Sequence, residues 1–190
     1  MRAPGFTLVE TLLVVALMLV FAALAAPALR ARSVEAHLLG AGQAFRSEFR
    51  RAQSMAVRSN TYTAIRFERR GDEAYYGIYA DGNGNGVLSS DIRSGHDPLV
   101  AGPFPLTGGA PGVRVAINPR TPAVPPERGL LEGDPIRFGP SDLLSFSPLG
   151  TATPGTFYLA GEVAQAAVRV NGGSARVRLM ICRGGRWIER

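Results

Sequence analysis

Residues 5–29 read GFTLVETLLVVALMLVFAALAAPAL, an apolar run whose only polar side chains are Thr7, Glu10 and Thr11. A helix rises 1.5 Å per residue, so roughly 20 such residues cross a bilayer core of about 30 Å. The run is long enough to span. Within it, Glu10 is out of place, because an unpaired carboxylate in hydrocarbon costs about 3 kcal/mol even on the mildest scales. It needs a partner.

Arg2 and the small residues of AAPALRA would suit a secretory signal peptide. The apolar run, however, is longer than the roughly 7–15 residues of a signal h-region. The helical pattern also continues past it. Val34, Leu38, Ala41, Phe45, Phe49, Ala52 and Ala56 recur at spacings of three and four and share one helix face. Arg46, Arg50, Arg51 and Arg58 fall largely off that stripe. The spacing predicts one helix from Phe6 to about Arg58, roughly 80 Å long, lipid-compatible first and amphipathic afterwards. Gly40 and Gly42 are its weak points, each worth up to about 1 kcal/mol against alanine.

Gly5-Phe6-Thr7-Leu8-Val9-Glu10, behind a short leader with one positive charge and ahead of an apolar helix, resembles the N-terminus of type IV pilins and type II secretion pseudopilins. The resemblance implies cleavage between Gly5 and Phe6 by a prepilin peptidase on the cytoplasmic side, and methylation of the new Phe6 amine. It also implies that Glu10 pairs with the N-terminal amine of a neighbouring subunit as helices pack into a filament. Such a pair is tolerated inside an apolar bundle, whereas either charge alone is not. The bland alternative is a glutamate that snorkels to the face of an ordinary signal anchor.

The rest of the chain is of ordinary globular size, room for one domain beyond the helix. With 23 glycines and 14 prolines it should be rich in turns and strands. The formal charge of +6 rests on arginine alone, since the sequence has no lysine. That balance permits contact with nucleic acid or anionic lipid without requiring it. Cys182 is the one cysteine, so no intrachain disulfide or multi-cysteine metal site can form, and burial as a small hydrophobe is its expected role.

Residues 61–68 and 74–80 alternate as two strands of a hairpin around an Arg70-Gly71-Asp72 turn, with Thr63, Ile65 and Phe67 on one face. DGNGNGVLSSD, residues 81–91, matches the first half of a calcium loop: Asp81, Asn83 and Asn85 alternate ahead of Gly86. Ile92 stands where the bidentate glutamate should be, and Asp91 is the available substitute. Calcium is thus one reading of the loop, and a metal-free turn joining two strands is the other. Short apolar pieces at 99–100, 113–117 and 136–138 predict strands, with a long loop over 119–134. Residues 146–150, a strand at 155–159, and a hairpin of 166–170 and 175–182 about Asn171-Gly172 complete the pattern. Val177, Leu179 and Ile181 should face the core and Arg176 and Arg178 the outside.

This order resembles the GspH/FimT group of the pilin superfamily: a strand pair after the long helix, a D-x-N-x-N-G insertion, an F-x-P-x-G element and a final hairpin near a Gly-Arg. The resemblance implies an α+β, pilin-like fold, a long N-terminal helix packed on a C-terminal antiparallel β-rich domain. The expected division is a leader over 1–5, a transmembrane and filament-core helix over 6–29, its amphipathic continuation over 30–60, and the β-rich domain over 61–190.

His37 and His96 have no paired nucleophile, and no phosphate loop or zinc spacing occurs, so catalysis has no residues to rest on. Nucleic-acid binding is the rival function. Arg169, Arg176, Arg178, Arg183, Arg186 and Arg190 gather near the C-terminus with Trp187. Some FimT-type minor pilins use a Gly-Arg-x-Arg motif there. Here Gly185-Arg186-Trp187-Ile188 lacks the second arginine, and Arg190 comes too late. The expectation is therefore a non-enzymatic minor pseudopilin of a type II secretion system, with no required cofactor. A FimT-like minor pilin in pilus biogenesis or DNA uptake is the alternative. Its expected partners are other pilin or pseudopilin subunits, a prepilin peptidase and an inner-membrane assembly platform. It should be a single-pass inner-membrane protein with its C-terminal domain in the periplasm.

Overall fold

The computed structural model describes residues 7–70, 73–106, 110–162 and 164–190. One helix, α1, runs unbroken from Leu8 to Ser59. Its 52 residues span about 78 Å. Thr7 caps its start, and Asn60 closes its end in the left-handed region (φ 53°) with its N–H on the Ala56 carbonyl. The helix continues through Pro27, whose ring removes one backbone donor.

The predicted stripe is the buried one. Leu38, Phe49, Ala52 and Ala56 are fully enclosed, Val34 and Phe45 nearly so, and only Ala41 keeps partial exposure. The two glycines separate in role. A Cβ on Gly40 would meet open space, whereas one on Gly42 would lie 2.6 Å from Leu179 Cδ1. Gly42 lets the helix approach the sheet closely.

Two antiparallel sheets take up that face. β1 (Thr63–Arg70), β2 (Glu73–Ala80), β3 (Leu99–Pro105) and β5 (Leu143–Phe146) form one, in the order β3-β2-β1-β5. β4 (Ile136–Arg137), β6 (Gly155–Ala160), β7 (Gln165–Val170), β8 (Val177–Arg183) and β9 (Arg186–Glu189) form the other, in the order β4-β6-β7-β8-β9. α1 packs on strands of both. At their meeting, Phe45 and Phe49 of α1 join Phe67 of β1, Phe157 of β6 and Phe138, with Phe67 stacked on Phe138 at 5.7 Å and on Phe157 at 5.5 Å. The architecture is the expected α+β one.

Thr63, Ile65 and Phe67 share the buried face of β1, and Val177, Leu179 and Ile181 that of β8. Cys182 is free and buried, and burial raises its thiol pKa. The Arg70-Gly71-Asp72 turn falls largely outside the described residues.

Four local expectations differ from what forms. Residues 113–117 make no strand, only an Arg114–Ala160 bridge. The buried Gln165 side chain explains this, since it accepts from the Asn118 N–H and donates to the Ala116 carbonyl, replacing a neighbouring strand. The run at 136–138 is ladder only over Ile136–Arg137. The loop after Asp81 leads into a short helix, α2 (Ser89–Ser94), before it reaches β3. The β7–β8 connection is six residues long rather than a tight Asn-Gly turn, because Asn171 Oδ1 accepts from the Ser174 N–H and hydroxyl. The two-residue turn comes later, at Gly184 (φ 53°) and Gly185 (φ 75°), and generates β9.

Candidate functional site

The first 18 residues of α1, Leu8–Ala25, are apolar enough to cross a membrane, and none of them is buried. Large side chains such as Leu8, Val9, Phe21 and Leu24 stand open over more than two thirds of their surface. Beyond that span, Val34 is the first residue that the domain is seen to bury among those whose side chains are described. An apolar surface of this extent on one helix requires lipid or other helices around it.

Glu10 sits at the head of that surface in a capping box. Its carboxylate accepts from the Thr7 N–H at 2.9 Å and the Thr7 hydroxyl at 2.8 Å, while Thr7 Oγ1 accepts from the Glu10 N–H at 3.3 Å. The helix's own first turn thus orients the carboxylate and gives it donors, but no positive charge. It faces outward with acceptor capacity left for a cation. Thr7 is a contributor that the sequence reading passed over, although T-x-x-E ahead of an apolar run is the signature of such a box. Gly5 and Phe6 lie outside the described residues.

The 81–91 loop closes on carboxylates. Asp81 accepts from the N–H groups of Asn83, Gly84 and Gly86, and Asp97 from those of Gly82 and Leu88. Asp97, almost wholly buried, completes a loop whose motif ends before it. Asn83 and Asn85 both donate to Asp91 Oδ2 at 2.9 Å. These bonds, Asn83's first, hold the Asp91 carboxyl below its usual pKa. Asp81, Asn83, Asn85 and Asp91 are therefore brought together, with Asp81 committed to backbone donors. Among the described residues no group of three or more His, Cys, Asp or Glu is placed to hold a metal.

Of the C-terminal arginines, Arg169 lies on β7, Arg178 and Arg183 on β8 and Arg186 on β9, with Arg183 opposite Arg186. Arg183 and Trp187 have duties within the fold. Arg183 pairs with Glu35 of α1, and the Trp187 indole N–H donates to the Pro122 carbonyl at 2.9 Å. Trp187 thereby pins the 119–134 loop against the outer face of its sheet. Arg186 and Arg190 are exposed, and the Arg190 carbonyl accepts from Arg46 at 2.8 Å. His37 faces the Pro111 carbonyl, and His96 the Ser94 hydroxyl.

No curated protein and no solved structure gives a significant match to the chain. A family model described as type II transport protein GspH matches residues 41–175, well over half of the sequence. That match begins beyond residues 5–29, so it does not depend on the N-terminal run that resembles both pilins and pseudopilins. The chain belongs to the type II transport protein GspH family.

Proposed function

We propose that the protein is a minor pseudopilin of a type II secretion system. It would be cut between Gly5 and Phe6 by a prepilin peptidase, methylated on Phe6, and drawn through an inner-membrane assembly platform into a pseudopilus that drives protein export. The role is structural. The observation that carries the reading is the division of α1: Leu8–Ala25 is wholly uncovered, whereas the face from Val34 onward is packed under two sheets. An apolar helix left bare by its own domain suits a subunit that waits in the inner membrane with that domain in the periplasm. Burial against other pseudopilin helices then supplies the assembly energy.

Glu10 sets the position. Among the described residues of the lone subunit, the carboxylate has two donors from Thr7 and no countercharge. The amine of a neighbouring subunit offers one, and a charge pair in an apolar bundle is far cheaper than either ion alone. Replacing Glu10 by Gln keeps the capping geometry and removes the charge. Glu10→Gln should leave membrane insertion and cleavage intact while cutting crosslinking to partner pseudopilins by about tenfold, the loss of roughly 1.4 kcal/mol. Crosslinking at wild-type yield would refute the pairing. DNA binding by the full chain that weakens with salt and vanishes in Arg183→Ala/Arg186→Ala would move the protein to the FimT-like reading instead.

A further inference from the structure

The geometry points to a binding cleft for a small phosphate- or carboxylate-bearing ligand on the outer face of the β4-β6-β7-β8-β9 sheet. This face is turned away from α1, and neither helix packing nor the assembly reading above uses it. Arg137 lies opposite Thr156, Thr156 opposite Arg169, and Arg169 opposite Arg178, so three guanidinium groups stand in a single cross-strand row. Like charges facing each other across strands destabilise a sheet. A row of this kind is more economical when something negative lies over it.

The row borders a cleft of about 330 Å³ lined by Glu127, Arg137, Thr156, Tyr158, Arg169 and Arg178 among others. That volume is at the small end for ligand sites. The carboxylates present do not balance the arginines. Glu127 pairs with Arg169 at 3.1 Å, and Glu189 is shared between Arg178 and the more exposed Arg176. Arg137 spends Nε on the Asp134 carbonyl and one Nη on the Glu132 carbonyl. Among the described residues, Nη1 of Arg137 and Nη1 of Arg178 make no hydrogen bond, so charge-assisted donors remain.

An independent sign comes from beneath the row. Tyr158 is completely buried, and its hydroxyl has no hydrogen-bond partner. The Thr156 side chain lies near enough to lower the phenol pKa, against the larger effect of burial. The Arg137 guanidinium lies over the Tyr158 ring, 5.1 Å from its centroid. Burial raises the phenol pKa, so the group stays a donor. A buried donor without an acceptor is rare in native proteins. An oxyanion reaching past Arg137 has only acceptor atoms, and it would supply both the missing acceptor and the missing charge. A neutral or cationic ligand would supply one or neither.

The full chain in detergent micelles, titrated calorimetrically with pyrophosphate and with citrate at low ionic strength, tests the site. Saturable one-site binding below about 1 mM is expected for at least one of them, and the tighter ligand identifies phosphate or carboxylate chemistry. Arg178→Gln, which loses only its contacts to Glu189 within the fold, should weaken binding about tenfold. Tyr158→Phe should weaken it about threefold while leaving the melting temperature unchanged or higher, since it deletes an unpaired hydroxyl. No saturation with either anion would overturn the proposal, as would wild-type affinity in both variants. Equal weakening by Arg176→Gln, on the exposed flank of the cleft, would show diffuse charge attraction and would also overturn it.

Discussion

Replacing Phe49 by Ala tests whether the aromatic cluster is what holds the domain to its helix. Phe49 is completely buried, and its ring centre lies 6.3 Å from Phe45, 6.2 Å from Phe67, 5.8 Å from Phe138 and 6.2 Å from Phe157. Every one of these contacts is edge-on, the favourable arrangement for aromatic quadrupoles. Truncating a buried phenylalanine costs about 3–5 kcal/mol, and a ring wedged among four others leaves a hole that cannot collapse easily. About 4 kcal/mol is a large part of a total stability of roughly 5–15 kcal/mol. For a chain of this size it lowers the melting temperature by about 8–16 °C. The assay is thermal unfolding of the full chain in micelles, read from the emission of Trp187, the single tryptophan, which is half-buried against the 119–134 loop. Val57→Ala, on the exposed side of the same helix, is the control and should shift stability by no more than about 0.5 kcal/mol. A loss below about 1 kcal/mol for Phe49→Ala, or an equal loss in the control, would refute the reasoning.

Four further outcomes are expected. Gly40→Ala should raise stability by up to about 1 kcal/mol, because its Cβ meets open space. Gly42→Ala should lower stability by about 1–2 kcal/mol in urea titration, since displacing Leu179 exceeds the helix gain. The Glu189 carboxyl is held below its usual value near 4.5, first by hydrogen bonds from Arg178 and then by the charges of Arg178 and Arg176. Its stabilisation is therefore present above pH 4.5 and lost as pH falls through the lowered value, so Glu189→Gln should flatten the acid limb of the stability curve. Asp81→Ala orphans three backbone donors and should cost about 1–3 kcal/mol whether calcium or chelator is present. A wild-type melting temperature that rises several degrees in millimolar calcium would instead make Asp81 a cation ligand.

The helix was legible because its two signals are periodic and long. An uninterrupted apolar run and a three-four stripe ending at Ala56 both survive tertiary context, and the capping box was present in the letters TLVE. Strands β1 and β8 were legible for a similar reason, since alternation over six or more residues leaves little freedom of face. Residues 113–117 defeated the same reasoning, because a side chain from residue 165 bonds the Ala116 carbonyl and the Asn118 N–H and nothing nearby in sequence announces it. Asp97 was hidden likewise, as the Gly82 N–H that it accepts from lies fifteen residues earlier. The arginine row was invisible for a topological reason. Residues 137, 156, 169 and 178 become neighbours only once four strands are in register.

The continuity of α1 ties the two ends of the molecule together mechanically. Glu10 lies at one end of the helix and the β domain grips the other, with contacts that run from Val34 to Ala56. The Glu35–Arg183 pair and the Arg46–Arg190 bond fasten that domain at opposite ends of its last hairpin. No break in the helix separates the two regions. A helix that slips by one residue moves about 1.5 Å along its axis and turns about 100°. Each single-residue error in docking Glu10 would therefore swing the whole β domain by more than a quarter of a turn, away from any neighbour it was shaped to meet. Under the proposed pairing, one carboxylate at the head of α1 would set both the height and the facing of the β domain. A less costly polar residue would fix neither as sharply, because a small penalty for mispairing tolerates the adjacent registers.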